Sequence, residues 1–319
     1  MPRATPEPVY LVPGQGGDPR GALLDVHDAS PAVRTVCEQV LDEIEGVLTT
    51  TGAPWSAVRR VLFDRSRSLR MESGVPQLAG YAISVIVGRL LSARLTPRAI
   101  VGQSFGEIAA LVCAGAFDVA DGTRAVCALN AAFRQSEGRG AMVLLPELGE
   151  AGCLRLLARA RLPDLTLACV NAPDQTIVSG PVDAVEALLA FGGTTMTRLA
   201  VPYAAHHPAL GEVADRFLRG LGPLRQRPLR VPVHSPVHGR VYDDRDDLRR
   251  ALAGCVTQPV HLPGTLRRLG PGHQYIELSA GDALTRCVRA TLPGARAVAP
   301  LAADRDWLVA TADPATART

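Results

Sequence analysis

Short apolar runs alternate with helical patterns along this chain, and the alternation restricts its fold more than any other feature. Val9–Val12 and Ala99–Val101 are apolar runs of strand length, whereas Ala32–Leu48 has acidic and apolar residues at helical spacing and Gln77–Leu91 is typical of a buried helix. Further strands are predicted over Val231–His234, Tyr275–Leu278 and Ala297–Val298. This pattern predicts an α/β fold.

The middle of the chain has its own order of elements. Strands are predicted over Ala141–Leu145, Thr166–Val170, Gln175–Ser179 and Met196–Ala200, with helices over Glu150–Ala160 and Val182–Ala190. This β-α-β-β-α-β order is that of a ferredoxin-like unit. Because α/β material resumes after it, we expect a small ferredoxin-like subdomain over residues 139–202. It would be inserted into a large α/β-hydrolase-like subdomain formed by residues 1–138 and 203–319.

Composition narrows the range of partners and compartments. All 34 basic residues are arginine, against 31 acidic ones, and a net charge of +3 is too small to indicate nucleic-acid or anionic-membrane binding. The seven cysteines form no closely spaced pair, so we expect no metal site. The first residues lack the apolar core of a signal peptide, and the longest uncharged apolar stretch, Ser73–Gly88, is shorter than a membrane span. We expect a soluble, cytoplasmic protein.

A nucleophile elbow is predicted at Gly102-Gln103-Ser104-Phe105-Gly106. The segment lies between the short strand Ala99–Val101 and the helical pattern Glu107–Ala114. In a strand–turn–helix of this kind, glycines allow a tight reversal that exposes the serine hydroxyl, and free N–H groups at the helix start can stabilise an oxyanion. The placement of the motif makes Ser104 a candidate nucleophile.

A serine nucleophile needs a general base, since a free hydroxyl is a poor nucleophile at neutral pH. His206 and His207 lie in a loop that follows the last strand of the predicted insert and precedes a helix. That loop could return a base to the serine. From the residues alone, a solvated loop histidine is the alternative interpretation.

Several ordered motifs give the chain a resemblance to a known family. It resembles the malonyl-CoA:acyl-carrier-protein transacylases and the acyltransferase domains of polyketide synthases over nearly its whole length. The matching segments are Val9–Gly16, Gly102–Gly115, Val170–Gly180, Tyr203–His206, Gln258–Val260 and Tyr275–Leu278.

The resemblance implies a mechanism and a role for each matching residue. Ser104 would be the nucleophile and His206 its base, oriented by a main-chain carbonyl at Gln258. The N–H groups of Gln15 and Phe105 would form the oxyanion hole. The acyl group would pass from a thioester to Ser104 and then to the phosphopantetheine thiol of an acyl carrier protein. The resemblance also implies a monomer. We expect no bound cofactor, because the substrates carry the phosphopantetheine.

One departure from the family bears on the acyl group. Malonyl-type members have an arginine 25 residues after the serine, where it forks onto the malonyl carboxylate, but this chain has Leu129. On a helix, Arg124 and Arg134 point elsewhere. A malonyl carboxylate beside Leu129 would be a desolvated, unpaired charge, so we expect an acyl group without a free carboxylate.

Other positions of the expected acyl pocket also differ. Gln103 stands where the family usually has histidine, and Ala205, two residues after Tyr203, is smaller than the family's residue and leaves room for a larger acyl chain. We expect a free-standing chain with no attached synthase or carrier domain. It therefore resembles discrete acyltransferases of polyketide pathways, some of which move aminoacyl or dipeptidyl starter units.

Two arginine-rich runs could steer an acidic carrier protein. They comprise Arg59, Arg60, Arg65, Arg67 and Arg70 in the first and Arg267 and Arg268 in the second. Three other functions remain open at this point: a malonyl-type transacylase, a serine thioesterase or hydrolase that edits acyl carriers, and an inactive protein that only docks carriers.

Overall fold

The strands of the computed structural model form two sheets with helices packed around them. The structure describes residues 6–14, 17–66, 71–313 and 315. This is the predicted mixed α/β class. In chain order the strands are β1 (Pro8–Val12), β2 (Ala99–Gly102), β3 (Gly140–Leu145), β4 (Thr166–Ala172), β5 (Gln175–Pro181), β6 (Thr197–Arg198), β7 (Val233–Ser235), β8 (Arg240–Val241), β9 (Val260–His261), β10 (Gln274–Glu277) and β11 (Arg296–Val298).

Every stretch that periodicity predicts as helical lies on a helix of the structure, to within a residue at its ends. They are α1 (Leu24–His27), α2 (Pro31–Thr51), α3 (Val58–Phe63), α4 (Val75–Ser92), α5 (Gly106–Cys113), α6 (Val119–Arg134), α7 (Glu150–Ala160), α8 (Val182–Phe191), α9 (Gly211–Leu221), α10 (Leu248–Gly254), α11 (Leu262–Leu269), α12 (Ala283–Thr291), α13 (Pro300–Ala303) and α14 (Arg305–Ala312). A 3-10 turn at Pro208–Leu210 precedes α9.

The first sheet has the order β11-β10-β1-β2-β7-β8. All neighbours pair in parallel except β7 and β8, which are antiparallel. Val9–Val12 is buried, as expected of a central parallel strand covered by helices on both faces. Parallel pairing brings the carboxyl ends of β1, β2, β7 and β10 to one edge, where α/β proteins place their sites.

The second sheet has the order β6-β3-β5-β4-β9. Its first four strands are antiparallel and have the neighbour order predicted for the ferredoxin-like unit. Two details differ from the sequence-based expectation. The last strand of the unit is only Thr197–Arg198 rather than Met196–Ala200, and β9, from beyond residue 203, joins in parallel with β4. The subdomain boundaries at 138/139 and 202/203 stay a prediction.

Helix α4 runs through the core of the protein. It is long and apolar enough to cross a membrane by length and composition, but 78% of its residues are buried inside the fold, as in the core helix of a globular protein. Helix α4 extends beyond the uncharged stretch Ser73–Gly88, because it continues through Arg89, which pairs with Glu43 at 3.1 Å. Asn130 Nδ2 donates to the carbonyl of Gly74 at 3.0 Å and fixes the start of the helix.

Candidate active site

The turn between β2 and α5 presents Ser104 at the carboxyl edge of the first sheet. Ser104 has a φ of 57°, a left-handed conformation that costs a non-glycine residue about 1–3 kcal/mol. A Cβ on Gly106 would lie 2.2 Å from the carbonyl oxygen of Val12, and one on Gly102 would lie 2.7 Å from Glu107 Cα. The two glycines therefore allow the close packing that holds the strained serine in place.

His206 lies against Ser104. The Oγ of Ser104 is 2.7 Å from His206 Nε2, and His206 Nδ1 is 2.8 Å from the carbonyl oxygen of Gln258. Because a carbonyl only accepts, Nδ1 carries the proton and the Nε2 lone pair faces the serine. His206 has a φ of 60°, and its N–H donates to the carbonyl of Val256 at 2.9 Å, so backbone contacts fix the loop that carries it.

The imidazole of His206 is uncharged at neutral pH. Its side chain is buried, and this burial lowers its pKa to about 4, although the hydrogen bond to the Gln258 carbonyl acts in the opposite direction. A neutral imidazole with its lone pair on Ser104 has the protonation state that a general base requires.

The neighbouring His207 belongs to a different set of contacts. Its Nε2 donates to the carbonyl of Asp164 at 3.0 Å, and its Nδ1 accepts from the N–H of Ala209 at 3.1 Å. The structure thus brings His206, and not His207, to the serine. His207 caps the turn that follows.

A free backbone N–H lies beside the serine. Among the described residues, none accepts a hydrogen bond from the N–H of Phe105, at the start of α5. Gly14 packs close by, since a Cβ there would lie 3.2 Å from the carbonyl oxygen of Gln103. Gln15, the other donor expected in the oxyanion hole, lies outside the described residues, and its role stays a prediction.

A cavity of about 570 Å³ extends from Ser104 between the two sheets. Leu129 and Phe133, one turn apart on α6, form part of its apolar wall, and Ala205 also lines it. Arg124 and Arg134, on the same helix, do not line the cavity. Arg124 turns to Asp121 at 2.8 Å, and Arg134 lies over the ring of Trp55.

Charged side chains are sparse around the cavity. Of the described residues that line it, Asp174 and Arg286 are the ones that carry a charge. Arg286 is 65% exposed and pairs with Asp282, the residue that precedes its helix. The wall around Leu129 therefore offers no cation to a buried carboxylate.

Polar contacts in the cavity include two residues that sequence reasoning missed. Gln103 Nε2 donates to Asn171 Oδ1 at 2.7 Å and links the elbow to the second sheet. Gln77 Nε2 donates to Tyr203 Oη at 2.8 Å. Each missed residue carried a signal, because Asn171 and Gln77 are isolated polar positions in otherwise apolar elements.

The arginines proposed to steer a carrier differ in their availability. Arg59 is already engaged, because Glu38, Asp42 and Glu45 on α2 surround its guanidinium, and its role in carrier binding stays a prediction. These ion pairs hold α3 against α2.

The other arginines of that first run are partly engaged or undescribed. Arg60 lies 3.8 Å from Asp64, and Arg65 pairs with Asp25, while positions 67 and 70 lie outside the described residues.

The second run is more accessible. Arg267 and Arg268 are exposed on α11, and Arg268 Nη2 donates to Thr265 Oγ1 at 3.1 Å. Helix α11 packs on α12, which contributes residues to the cavity wall. These two arginines are therefore free to meet a partner, and their role in carrier binding stays a prediction.

One buried cluster has potential metal ligands. Atoms of Glu107, His238 and Cys255 lie within 4.8 Å of one another. Both carboxylate oxygens of Glu107 already accept hydrogen bonds, from Ser235 and Tyr242, and His238 Nε2 donates to a backbone carbonyl. These groups join α5 to the strands and helices beside it.

Sequence comparison places the chain in a family. The acyl transferase domain model matches residues 9–303, so the chain belongs to this family. The spectinabilin polyketide synthase system protein NorA' of Streptomyces orinoci is 33% identical over 299 residues, which cover 90% of this chain and 8% of the relative. The chain thus spans less than a tenth of the length of this curated relative.

Solved structures share the fold across nearly the whole chain. A loading acyltransferase from the avermectin modular polyketide synthase is 28% identical, with a TM-score of 0.80 over 91% of this chain and 92% of that one. A malonyl-transacylase solved in complex with its type II polyketide synthase acyl-carrier protein is 26% identical, with a TM-score of 0.82 over 96% and 98% of the two chains.

Proposed function

We propose that this chain transfers an acyl group without a free carboxylate to the phosphopantetheine thiol of an acyl carrier protein. The observation that carries the proposal is the Ser104–His206–Gln258 arrangement at the base of an apolar cavity in which Leu129 replaces a cation. The donor would be a CoA or carrier thioester. Aminoacyl and dipeptidyl starter units are within this class.

The proposed mechanism has two half-reactions. His206 Nε2 takes the Ser104 proton as Oγ attacks the thioester carbonyl, and the N–H of Phe105, with that of Gln15, stabilises the oxyanion. The C–S bond breaks, the proton passes from His206 to the leaving thiolate, and an ester on Ser104 remains. The carrier thiol then attacks this ester while His206 takes the thiol proton and returns it to Ser104.

The carrier partner is proposed from the family and from two exposed arginines on α11. The solved malonyl-transacylase complex contains an acyl-carrier protein, and its fold matches this chain closely. Arg267 and Arg268 would provide an exposed basic patch for an acidic carrier. Substrates would bring the phosphopantetheine, and the chain itself needs no bound cofactor in this scheme.

Mass spectrometry of the intact protein tests the proposal. The protein is incubated with acetyl, butyryl, aminoacyl and malonyl thioesters, and the adduct on Ser104 is followed with and without a carrier. We expect a lasting adduct from neutral donors that disappears when carrier thiol is added, and no adduct on Ser104→Ala. Fast loading of malonyl alone would favour a malonyl-type transacylase, and rapid loss of the adduct to water would favour a thioesterase.

The alternative of an inactive docking protein is addressed by the same geometry. An inactive protein needs neither a strained serine nor a neutral histidine at 2.7 Å from it. If no donor acylates Ser104 and the protein still binds carrier, the enzymatic proposal fails.

A further inference from the structure

The two carbonyls that hold His206 belong to one turn. The N–H of His206 donates to the carbonyl of Val256 at 2.9 Å, and its Nδ1 donates to the carbonyl of Gln258 at 2.8 Å. This turn follows directly from α10, which ends at Gly254. The orientation of the base therefore depends on where the end of α10 lies.

A second histidine holds the end of α10. His238 lies in the turn between β7 and β8, and its Nε2 donates to the carbonyl of Ala251 at 2.9 Å. Its ring also packs on Gly254, since a Cβ there would lie 2.9 Å from His238 Cε1. The absence of a side chain at position 254 lets the imidazole lie directly against the helix. His238 therefore contacts the last turn of α10 both by a hydrogen bond and by packing.

The turn that carries His238 is anchored to the helix that follows the nucleophile. The N–H of His238 donates to Ser235 Oγ at 3.0 Å, and Ser235 Oγ donates to Glu107 Oε1 at 2.6 Å. Tyr242 Oη, just after β8, donates to Glu107 Oε2. Glu107 is buried and lies three residues after Ser104, in the first turn of α5. Because this carboxylate accepts from both ends of the hairpin, it fixes the hairpin relative to the nucleophile.

These contacts form a continuous path from the nucleophile's helix to the base. The path runs from Glu107 through Ser235 and His238 to α10, and from the turn after α10 to His206. Glu107 and Ser235 are fully buried, and hydrogen bonds are stronger away from water than in it. His238 is the link between the anchored hairpin and α10, and it does not itself line the acyl cavity. Its effect on the site must therefore pass through α10.

Resting on the proposed function, we propose that His238 is a positioning residue for acyl transfer. It holds α10 where the Gln258 carbonyl keeps His206 Nε2 on Ser104 Oγ, and it touches neither the acyl group nor the reacting atoms. A displacement of about 1 Å in a catalytic group can cost about 100-fold in rate. Loss of the hydrogen bond from His238 to α10 should therefore slow every reaction of Ser104 that needs His206, whatever the acyl group.

The test uses a reaction of Ser104 that does not depend on the acyl group. A small alkyl fluorophosphonate reacts as Oγ attacks phosphorus, the P–F bond breaks, fluoride leaves and His206 takes the serine proton. The maximal rate of inactivation, kinact, and the probe concentration at half this rate, KI, are measured for the unmodified protein and for His238→Phe. We expect kinact to fall about 10-fold or more and KI to stay within about twofold, because the substitution disturbs the base and not the cavity.

Two variants and one spectroscopic measurement separate positioning from loss of the fold. His238→Gln keeps an N–H donor near the place of Nε2 and should restore kinact to within about threefold. His234→Phe is the matched control, because it removes a histidine of the same hairpin whose Nδ1 has no hydrogen-bond partner within the described chain. NMR of histidine-labelled protein follows the exchange of the His206 Nδ1 proton with solvent, assigned by its absence in His206→Gln. This exchange should be faster in His238→Phe and unchanged in the control.

The outcomes distinguish this inference from the proposed function. If a folded His238→Phe keeps kinact within about twofold of the unmodified protein, the inference is overturned while the proposed function stands. If the fluorophosphonate reacts but no acyl thioester loads Ser104, the proposed function fails, and a lower kinact in His238→Phe still supports the inference. If the probe does not react with Ser104, both fail. Should His238→Phe not fold, Ser235→Ala breaks the same path one bond earlier and is measured in its place.

Discussion

Replacing Leu129 with arginine should convert the acyl cavity into one that accepts a carboxylate. Leu129 lies in the cavity wall and is 8% exposed. Among the described residues that line the cavity, Arg286 is the one arginine, and it is exposed and paired. In the unmodified protein a malonyl carboxylate would be desolvated without a counter-charge. Leu129→Arg would supply a guanidinium that can grip both carboxylate oxygens.

The size of the effect follows from the contact that is added. A hydrogen-bonded charge pair contributes about 1.5–3 kcal/mol, and about 1.4 kcal/mol corresponds to a factor of ten. We therefore expect kcat/KM for malonyl loading to rise about 10- to 100-fold. Butyryl loading should fall, because the apolar wall would now hold a charge that this donor leaves unpaired.

The assay is the initial rate of Ser104 acylation by malonyl-CoA and butyryl-CoA, with hydrolysis subtracted. Leu129→Met, similar in size and uncharged, controls for repacking, and Leu129→Gln separates polarity from charge. Neither should raise the malonyl-to-butyryl ratio as much as arginine does. The reasoning is refuted if the unmodified protein loads malonyl as fast as butyryl, or if a folded Leu129→Arg variant keeps the original ratio.

Two further predictions concern His206 and the carrier. The pKa of His206 is about 4 in the folded chain and 6.5 in the unfolded chain. Between pH 6.5 and pH 4 the unfolded chain therefore binds more protons than the folded chain. The free energy of unfolding should fall by about 3 kcal/mol as the pH drops through this range. His206→Gln should show a correspondingly smaller pH dependence in urea unfolding, and an equal slope in both proteins would contradict the burial argument. Arg267→Glu should raise the KM for carrier protein several-fold at low salt and less at high salt. Arg94→Glu makes the same charge change at an exposed arginine before β2, and equal effects of the two would contradict local steering.

Local sequence signals predicted the parts of the site that depend on neighbouring residues. The elbow at Ser104 follows from two glycines and a short strand, and the four-strand order of the second sheet follows from the succession of its elements. The role of Gln258 came from resemblance rather than from pattern, because a main-chain carbonyl has no signature in the sequence.

Contacts between distant segments could not be predicted in this way. Gln77 and Tyr203 are 126 positions apart, and Gln103 and Asn171 are 68 apart, so only the folded chain brings each pair together. The same is true of Arg59, which looked like a free surface charge but lies among acids of α2. Strand β9 was missed because a two-residue strand has no periodicity to detect.

Strand β9 connects the segment that orients His206 to the second sheet. Gln258, whose carbonyl fixes His206 Nδ1, is two residues before Val260, which pairs with Cys169 on β4. Across the cavity, Gln103 beside Ser104 is tied to Asn171 on the same strand. A shift of β4 would therefore change the contacts beside both Ser104 and His206. We expect an acyl chain long enough to separate the two sheets to change the distance from Ser104 to His206 and so to slow proton transfer.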